Sequence, residues 1–143
     1  MIEISPEIRI RSTIKEGSVY YFSDNELSSK EPHYFIVLNH NPKNEEILLL
    51  VCSTTKIHER KKIRKLHKNT LVEISKHEYS DFKSDSIVDC NIIFPRTIEE
   101  IISKLKSGDL KIKKDMDSAV IEKLRDAVCQ SPVIEQYYIE MLV

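Results

Sequence analysis

Between residues 17 and 94 the apolar positions fall in short β-branched and aromatic runs bounded by turn formers, a pattern that predicts strands. Val19-Tyr20-Tyr21-Phe22 is the first run. The polar stretch Ser23 to Pro32 that follows is long for a hairpin, which makes it a candidate functional loop. His33 to Leu38 is a nearly continuous apolar strand, Asn39 to Asn44 is a turn cluster, and Ile47 to Cys52 is again continuous. Two adjacent runs this apolar imply strands covered on both faces. Thr70 to Ile74 and Ser86 to Ile93 bring the expected total to about five.

From Thr97 the spacing becomes helical. Thr97-Ile98-Glu99-Glu100 reads as a capping box, Ile98, Ile101, Ile102 and Leu105 share one face, and Gly108 stops the helix. Asp117 can cap a second helix with the stripe Val120, Ile121, Leu124, Ala127 and Val128. Ser131-Pro132 predicts a third, with Val133, Ile134, Tyr137, Tyr138, Met141 and Leu142 buried. Strands first and helices last predict one α+β domain over 1–143. Its strands, over 17–94, form a compact barrel, and the helices of 97–143 are appended to it.

Composition narrows the chemistry. The 22 basic and 23 acidic side chains nearly cancel, so only a local patch can attract a polyanion. With two glycines, Gly17 and Gly108, no glycine-rich phosphate cradle can be built. No apolar run approaches the roughly 18 residues of a membrane span, and Met1 is followed by Glu3, Glu7 and Arg9, which points to a cytoplasmic protein with no membrane partner. The odd number of cysteines, Cys52, Cys90 and Cys129, argues for reduced thiols, and the five histidines show no metal-ligand spacing. Neither a metal nor another cofactor is expected.

The strongest local anomaly is Lys56 to Lys68, with seven Lys or Arg against the single acid Glu59. Clustered cations in one connection can neutralise phosphates, although a solvated charge run is the plainer reading. The run leaves from Ser53-Thr54-Thr55, whose hydroxyls can hydrogen-bond a phosphate that Lys56, Lys61, Lys62, Arg64 and Lys65 attract. The strand aromatics are candidates for base stacking, but in such runs they more often fill a core. Asp89 and Asn91 form a polar pair beside apolar neighbours, where a structural use outweighs a catalytic one. An RNA substrate would bring its own 2′-hydroxyl nucleophile. The site would then need a proton acceptor and donor, for which His33 or His58 qualifies, and phosphate holders, for which Thr54, Arg60 and Arg96 qualify.

Gly17-Ser18-Val19-Tyr20-Tyr21-Phe22, Pro32 to Leu38 and Leu49-Leu50-Val51-Cys52-Ser53-Thr54-Thr55 resemble, in order and texture, the opening strands of the MazF/PemK/Kid toxins. Ser86 to Asn91 and the Thr97 helix resemble that family's later strand and helix. The resemblance implies a small SH3-like β-barrel that dimerises. It also implies a metal-independent endoribonuclease of a type II toxin–antitoxin system, silenced by an antitoxin lying across its RNA groove. By position, Ser53-Thr54 matches the family's threonine–serine at the third strand, which makes Thr54 catalytic. Members carry arginine before the proline entering the second strand, whereas this chain reads Glu31-Pro32-His33, so His33 would substitute as acid or base, with Arg60 beside it. The basic run and the segment beyond Gln130 lie outside the family pattern. Two alternatives stand beside the toxin reading. One is a non-catalytic barrel binding nucleic acid or protein through the basic connection, and the other a subunit that dimerises through its last helix.

Overall fold

The computed structural model describes residues 3–65 and 67–143. Met1, Ile2 and Leu66, the last inside the basic run, lie outside the described residues. The chain is α+β, with seven strands and five α-helices among the described residues. Helix α1 (Pro6–Thr13) precedes the strands β1 (Val19–Phe22), β2 (His33–Val37) and β3 (Ile47–Thr54). Helix α2 (Ile57–Ile63) leads to β4 (Leu71–Ile74), β5 (Ser86–Asp89) and β6 (Phe94–Thr97). Then come α3 (Ile98–Lys106), β7 (Lys111–Lys113), α4 (Ser118–Gln130) and α5 (Gln136–Leu142).

All pairings are antiparallel, in the order β4-β5-β3-β2-β1-β7, with β6 branching from β3. Strand β3 is the hub. Its first half pairs with β6 from Ile47↔Thr97 to Leu50↔Phe94, and its last residues, Ser53 and Thr54, pair with β5. The closed barrel of about five strands is corrected here: β4 and β7 end the path without meeting, so the sheet is open. The two strands that the sequence reading did not count are short. Strand β6 contains Pro95, a residue tolerated where its missing N–H is not needed, and β7 has only three residues.

Both faces of the central strands are covered, as their continuous apolar runs require. Phe35 to Leu38 and Leu48 to Val51 are all fully buried. Each such side chain stabilises the fold by roughly 1.5–3 kcal/mol relative to exposure. Ile36, Leu49 and Val51 face α4 and α5, whereas Phe35, Leu48 and Leu50 face α1 and α3, the alternation expected of a pleated strand. The capping box at Thr97 forms with both bonds, Ile98, Ile101 and Ile102 are buried, and Gly108 takes φ 82° just beyond the C-cap of α3. The α4 stripe is buried as the spacing predicts.

The C-terminal segment departs from expectation. Ser131-Pro132 makes a turn instead of opening a helix, because the Ser131 hydroxyl donates to Asn91 Oδ1 at 2.7 Å and accepts from Val133 N at 3.3 Å. Helix α5 therefore starts at Gln136, and Val133 and Tyr137 are exposed instead of buried. No described helix is long and apolar enough to cross a membrane.

Candidate functional site

Strand β2 pairs with β3 up to Phe35↔Cys52, and His33 and Thr54 each lie two residues beyond that last pair. By alternation His33 and Thr54 share the face of Phe35 and Cys52, just past the end of the core on that side. There they open onto a groove of about 730 Å³. Its walls are the β1–β2 loop, with Glu26, Leu27 and Glu31, and α2, with Glu59, Arg60 and Ile63; Cys52, Ile92 and Phe94 supply apolar lining. The long polar loop picked out from sequence thus borders the same concavity as the basic run.

Residues Ile57–Ile63 of the basic run form a helix, where the charge pattern suggested an open connection. None of its residues is buried, so α2 rests on polar contacts. Asp89, 6% exposed, supplies them: its Oδ2 accepts from Arg64 Nε at 3.0 Å and lies 3.6 Å from Arg60 Nη1. Its Oδ1 accepts from the backbone N–H of Asn91 at 3.1 Å and from Asn91 Nδ2 at 2.8 Å. Asn91 Nδ2 also donates to Thr70 Oγ1 at 2.7 Å, and its Oδ1 accepts from Ser131. The Asp89–Asn91 pair singled out in the sequence therefore anchors α2 through a buried polar network that reaches the C-terminal turn. A second anchor is the Lys61 Nζ–Glu73 Oε1 pair at 2.5 Å.

Two hydrogen bonds fix the protonation geometry of the groove. His33 Nδ1 lies 2.9 Å from the carbonyl of Glu31, an acceptor only, so Nδ1 carries the hydrogen and Nε2 of the neutral ring keeps its lone pair. Thr54 Oγ1 accepts from Lys56 N at 3.2 Å, which leaves its O–H free to donate. Arg60 stands one-third exposed beside Asp89.

The structure brings His33, Thr54, Lys56 and Arg60 together around the groove. It separates the other candidates. Ser53 is buried and absent from the groove lining, because adjacent strand residues alternate; it lines a smaller hollow with Tyr21 and Tyr34, which His33 and Thr54 also border. Arg64 is held by Asp89 and Lys61 by Glu73. His58, Lys62 and Lys65 are exposed on α2 and the turn after it, beyond the groove lining. Arg96 is turned inward, where Nε and Nη2 grip the Asp24 carboxylate at 3.0 and 2.7 Å and Nη2 reaches Glu26 at 3.2 Å. Burial pushes the Asp24 carboxyl up, but the Arg96 bonds, the Glu26 N–H and the nearby cations outweigh it and hold it below its usual value. Arg96 therefore ties the base of the loop to β6.

Sequence reasoning missed three carboxylates as part of the site. Glu26, Glu31 and Glu59 line the groove with Asp89, against Lys56 and Arg60 as its Lys or Arg cations, so the concavity carries more acid than base and Lys61, Lys62 and Lys65 lie outside its lining. The thiols are unactivated: burial pushes Cys52 up to about 12 and also raises Cys90 and Cys129. No group of three or more His, Cys, Asp or Glu among the described residues is arranged to hold a metal ion. A scan against protein-family models and a search of curated proteins each found no match for this chain.

Proposed function

We propose that the groove is an RNA site and that the chain is a toxin-like endoribonuclease acting on single-stranded RNA. In this reading the substrate 2′-hydroxyl attacks the adjoining phosphorus, His33 Nε2 takes its proton, and the P–O5′ bond breaks as the 2′,3′-cyclic phosphate forms, the 5′-oxygen leaving with a proton taken from water. The Thr54 O–H and the Arg60 guanidinium hold the non-bridging oxygens as charge builds on them. The substrate brings the nucleophile, so no metal is needed to generate one. His58, Lys62 and Lys65 on the outer side of α2 guide the strand's phosphates past the groove, since the groove itself carries carboxylates. The observation that carries the reading is that His33, Thr54 and Arg60, drawn from β2, β3 and α2, line one concavity.

The resemblance to the MazF/PemK/Kid toxins supplies the rest of the proposal. The open sheet is a variant of the SH3-like barrel, the protein works in the cytoplasm as a homodimer, and an antitoxin covers the groove. A second reading, a non-catalytic module that binds RNA through α2, is favoured by one observation: Arg60 already lies beside Asp89. A cleavage assay on end-labelled single-stranded RNA with chelator present distinguishes them. The catalytic reading expects a 2′,3′-cyclic phosphate product, which the triple variant His33→Ala, Thr54→Ala, Arg60→Ala no longer makes. Salt-sensitive binding without product supports the second reading, and cleavage that persists in the triple variant defeats the first.

A further inference from the structure

The smaller hollow, of about 180 Å³ against about 730 Å³ for the groove, adjoins the candidate site at the ends of β2 and β3. The two share Glu31, His33, Thr54 and Thr55, so a chain lying on His33 and Thr54 is within reach of both. The remaining walls of the hollow include Tyr21, Tyr34 and Ser53, with Phe82 and Ser84 from the β4–β5 connection. It has room for one ring system and not for a length of strand.

These walls are set before anything binds. Of the five aromatic side chains on β1 and β2, Tyr20, Phe22 and Phe35 are fully buried, whereas Tyr21 and Tyr34 stay partly exposed. Tyr21 and Tyr34 pair across the ladder with ring centroids 4.6 Å apart, and Phe82 meets Tyr34 edge-on at 4.9 Å. The Tyr34 O–H donates to the Asp81 carbonyl at 2.8 Å, and Lys113 Nζ sits over the Tyr21 ring, 5.4 Å from its centroid. Ser53 is the polar element. It is 3% exposed, and alternation puts its side chain on the face of Tyr34 and of its ladder partner Val88. Its carbonyl accepts from the Cys52 thiol at 3.5 Å, but its hydroxyl bonds to no other described residue. Buried hydroxyls normally find a partner, so one left free at the wall of a hollow marks a place for the polar edge of a ligand.

We propose that the hollow is a subsite for one unpaired nucleobase of the single-stranded RNA, the base next to the phosphate that Thr54 holds. The ring lies against the aromatic wall, and the Ser53 hydroxyl, which both donates and accepts, meets its polar edge. Lys83, exposed at the rim, faces the backbone phosphate that follows. The proposal rests on the groove accepting RNA, as proposed above, and not on cleavage.

The probes are fluorescein-labelled decamers with 2′-O-methyl ribose, which leaves no nucleophile. Three carry adenine, cytosine or uracil throughout, and a fourth has the same backbone and no bases. Titrated against the full chain, the tightest of the three is expected to bind roughly tenfold more strongly than the abasic decamer. Ser53→Ala and Tyr21→Leu should each bring that ratio down to about threefold or less. Because the Ser53 hydroxyl has no protein partner, Ser53→Ala should do this with an unchanged urea midpoint, an outcome that a structural serine would not give. Equal binding of the abasic decamer, or a base advantage undiminished in both variants, would overturn the proposal. A parallel cleavage assay on unmodified RNA separates it from the nuclease reading. Product from a chain that ignores bases removes the subsite and keeps the nuclease, and base-dependent binding without product does the reverse. A chain that binds none of the decamers overturns both.

Discussion

Replacing Asp89 with alanine tests how the groove wall is held. The carboxylate is 6% exposed and receives Arg64 Nε at 3.0 Å and Asn91 through two bonds, with Arg60 at 3.6 Å. Removing one partner of a fully buried ion pair costs about 3–5 kcal/mol, because the other charge is left behind. Here Arg60 and Arg64 keep 34% and 24% of their side-chain exposure, so both can turn to water once freed. What remains is the loss of charge-assisted bonds and an Asn91 short of an acceptor, which together point to about 2–3 kcal/mol. Asp89→Asn keeps an oxygen for the Asn91 N–H and should cost about half as much. Urea unfolding followed by circular dichroism measures both, provided the slope stays constant. Hydrogen exchange adds the local readout. Because α2 buries none of its residues, its amides should lose protection in Asp89→Ala while those of β2 and β3 fall only by the global change. An unchanged urea midpoint, or α2 protection equal to that of the parent, would refute the assignment of Asp89 as anchor.

Four further expectations follow from the same structure. Arg96→Ala strands the Asp24 carboxylate, whose side chain is 5% exposed, and should destabilise by about 3 kcal/mol in urea, more than alanine at any exposed lysine of α2. Because Asp24 is held below its usual value, its pair contributes stability above the unfolded pKa of about 3.9 and loses it as pH falls through the lower folded value. An acid titration of stability should show that loss below about pH 4 in the parent and not in Asp24→Asn, Arg96→Met. Gly17 and Gly108 both have positive φ, but an added Cβ would lie 3.0 Å from the Met116 carbonyl oxygen at Gly17 and meet nothing within 4 Å at Gly108. Gly108→Ala should therefore cost about 1–2 kcal/mol from backbone strain alone, and Gly17→Ala clearly more, as read by thermal melting. Burial raises all three thiols, so Ellman's reagent should modify the native protein slowly, with partly buried Cys129 ahead of Cys52, whose thiol is pushed up to about 12, and a fast Cys90 would contradict the packing.

The elements legible in the sequence were those whose own residues dictate them. The continuous run Leu48 to Val51 announced a strand buried on both sides, and Thr97 with Glu100 announced the start of a helix, because each signal is local and redundant. Helix α1 was overlooked although Ser5 accepts from Ile8 N and Pro6 opens the helix, since its apolar face is narrow: only Ile10 is buried. The third C-terminal helix was placed too early because Ser131-Pro132 offers the same letters to a cap and to a turn, and Asn91, forty residues away, decided for the turn. In the site, His33, Thr54 and Arg60 could be named as candidates from their residue types, but their convergence on one groove could not be read, because it depends on how β2, β3 and α2 come together. The destinations of Arg64, Lys61 and Arg96 could not, because each answers to a carboxylate distant in sequence, at Asp89, Glu73 and Asp24. Ser53 and Thr54 were grouped as neighbours, yet only Thr54 lines the larger groove, because adjacent strand residues alternate and Ser53 is buried.

Strand β3 belongs to two ladders on the same flank, with β6 holding its beginning and β5 its end, while β2 runs along the other flank. A slip by a single residue would exchange Thr54 for Ser53 in the concavity, and it would have to break three sets of pairings at once. The position of the hydroxyl is thus as secure as the core itself, and random drift in the surroundings cannot nudge it gradually. Any retuning of what the concavity accepts must therefore arise from the segment between Ser23 and Pro32 and from the helix after Lys56, the two walls that can change without disturbing the floor.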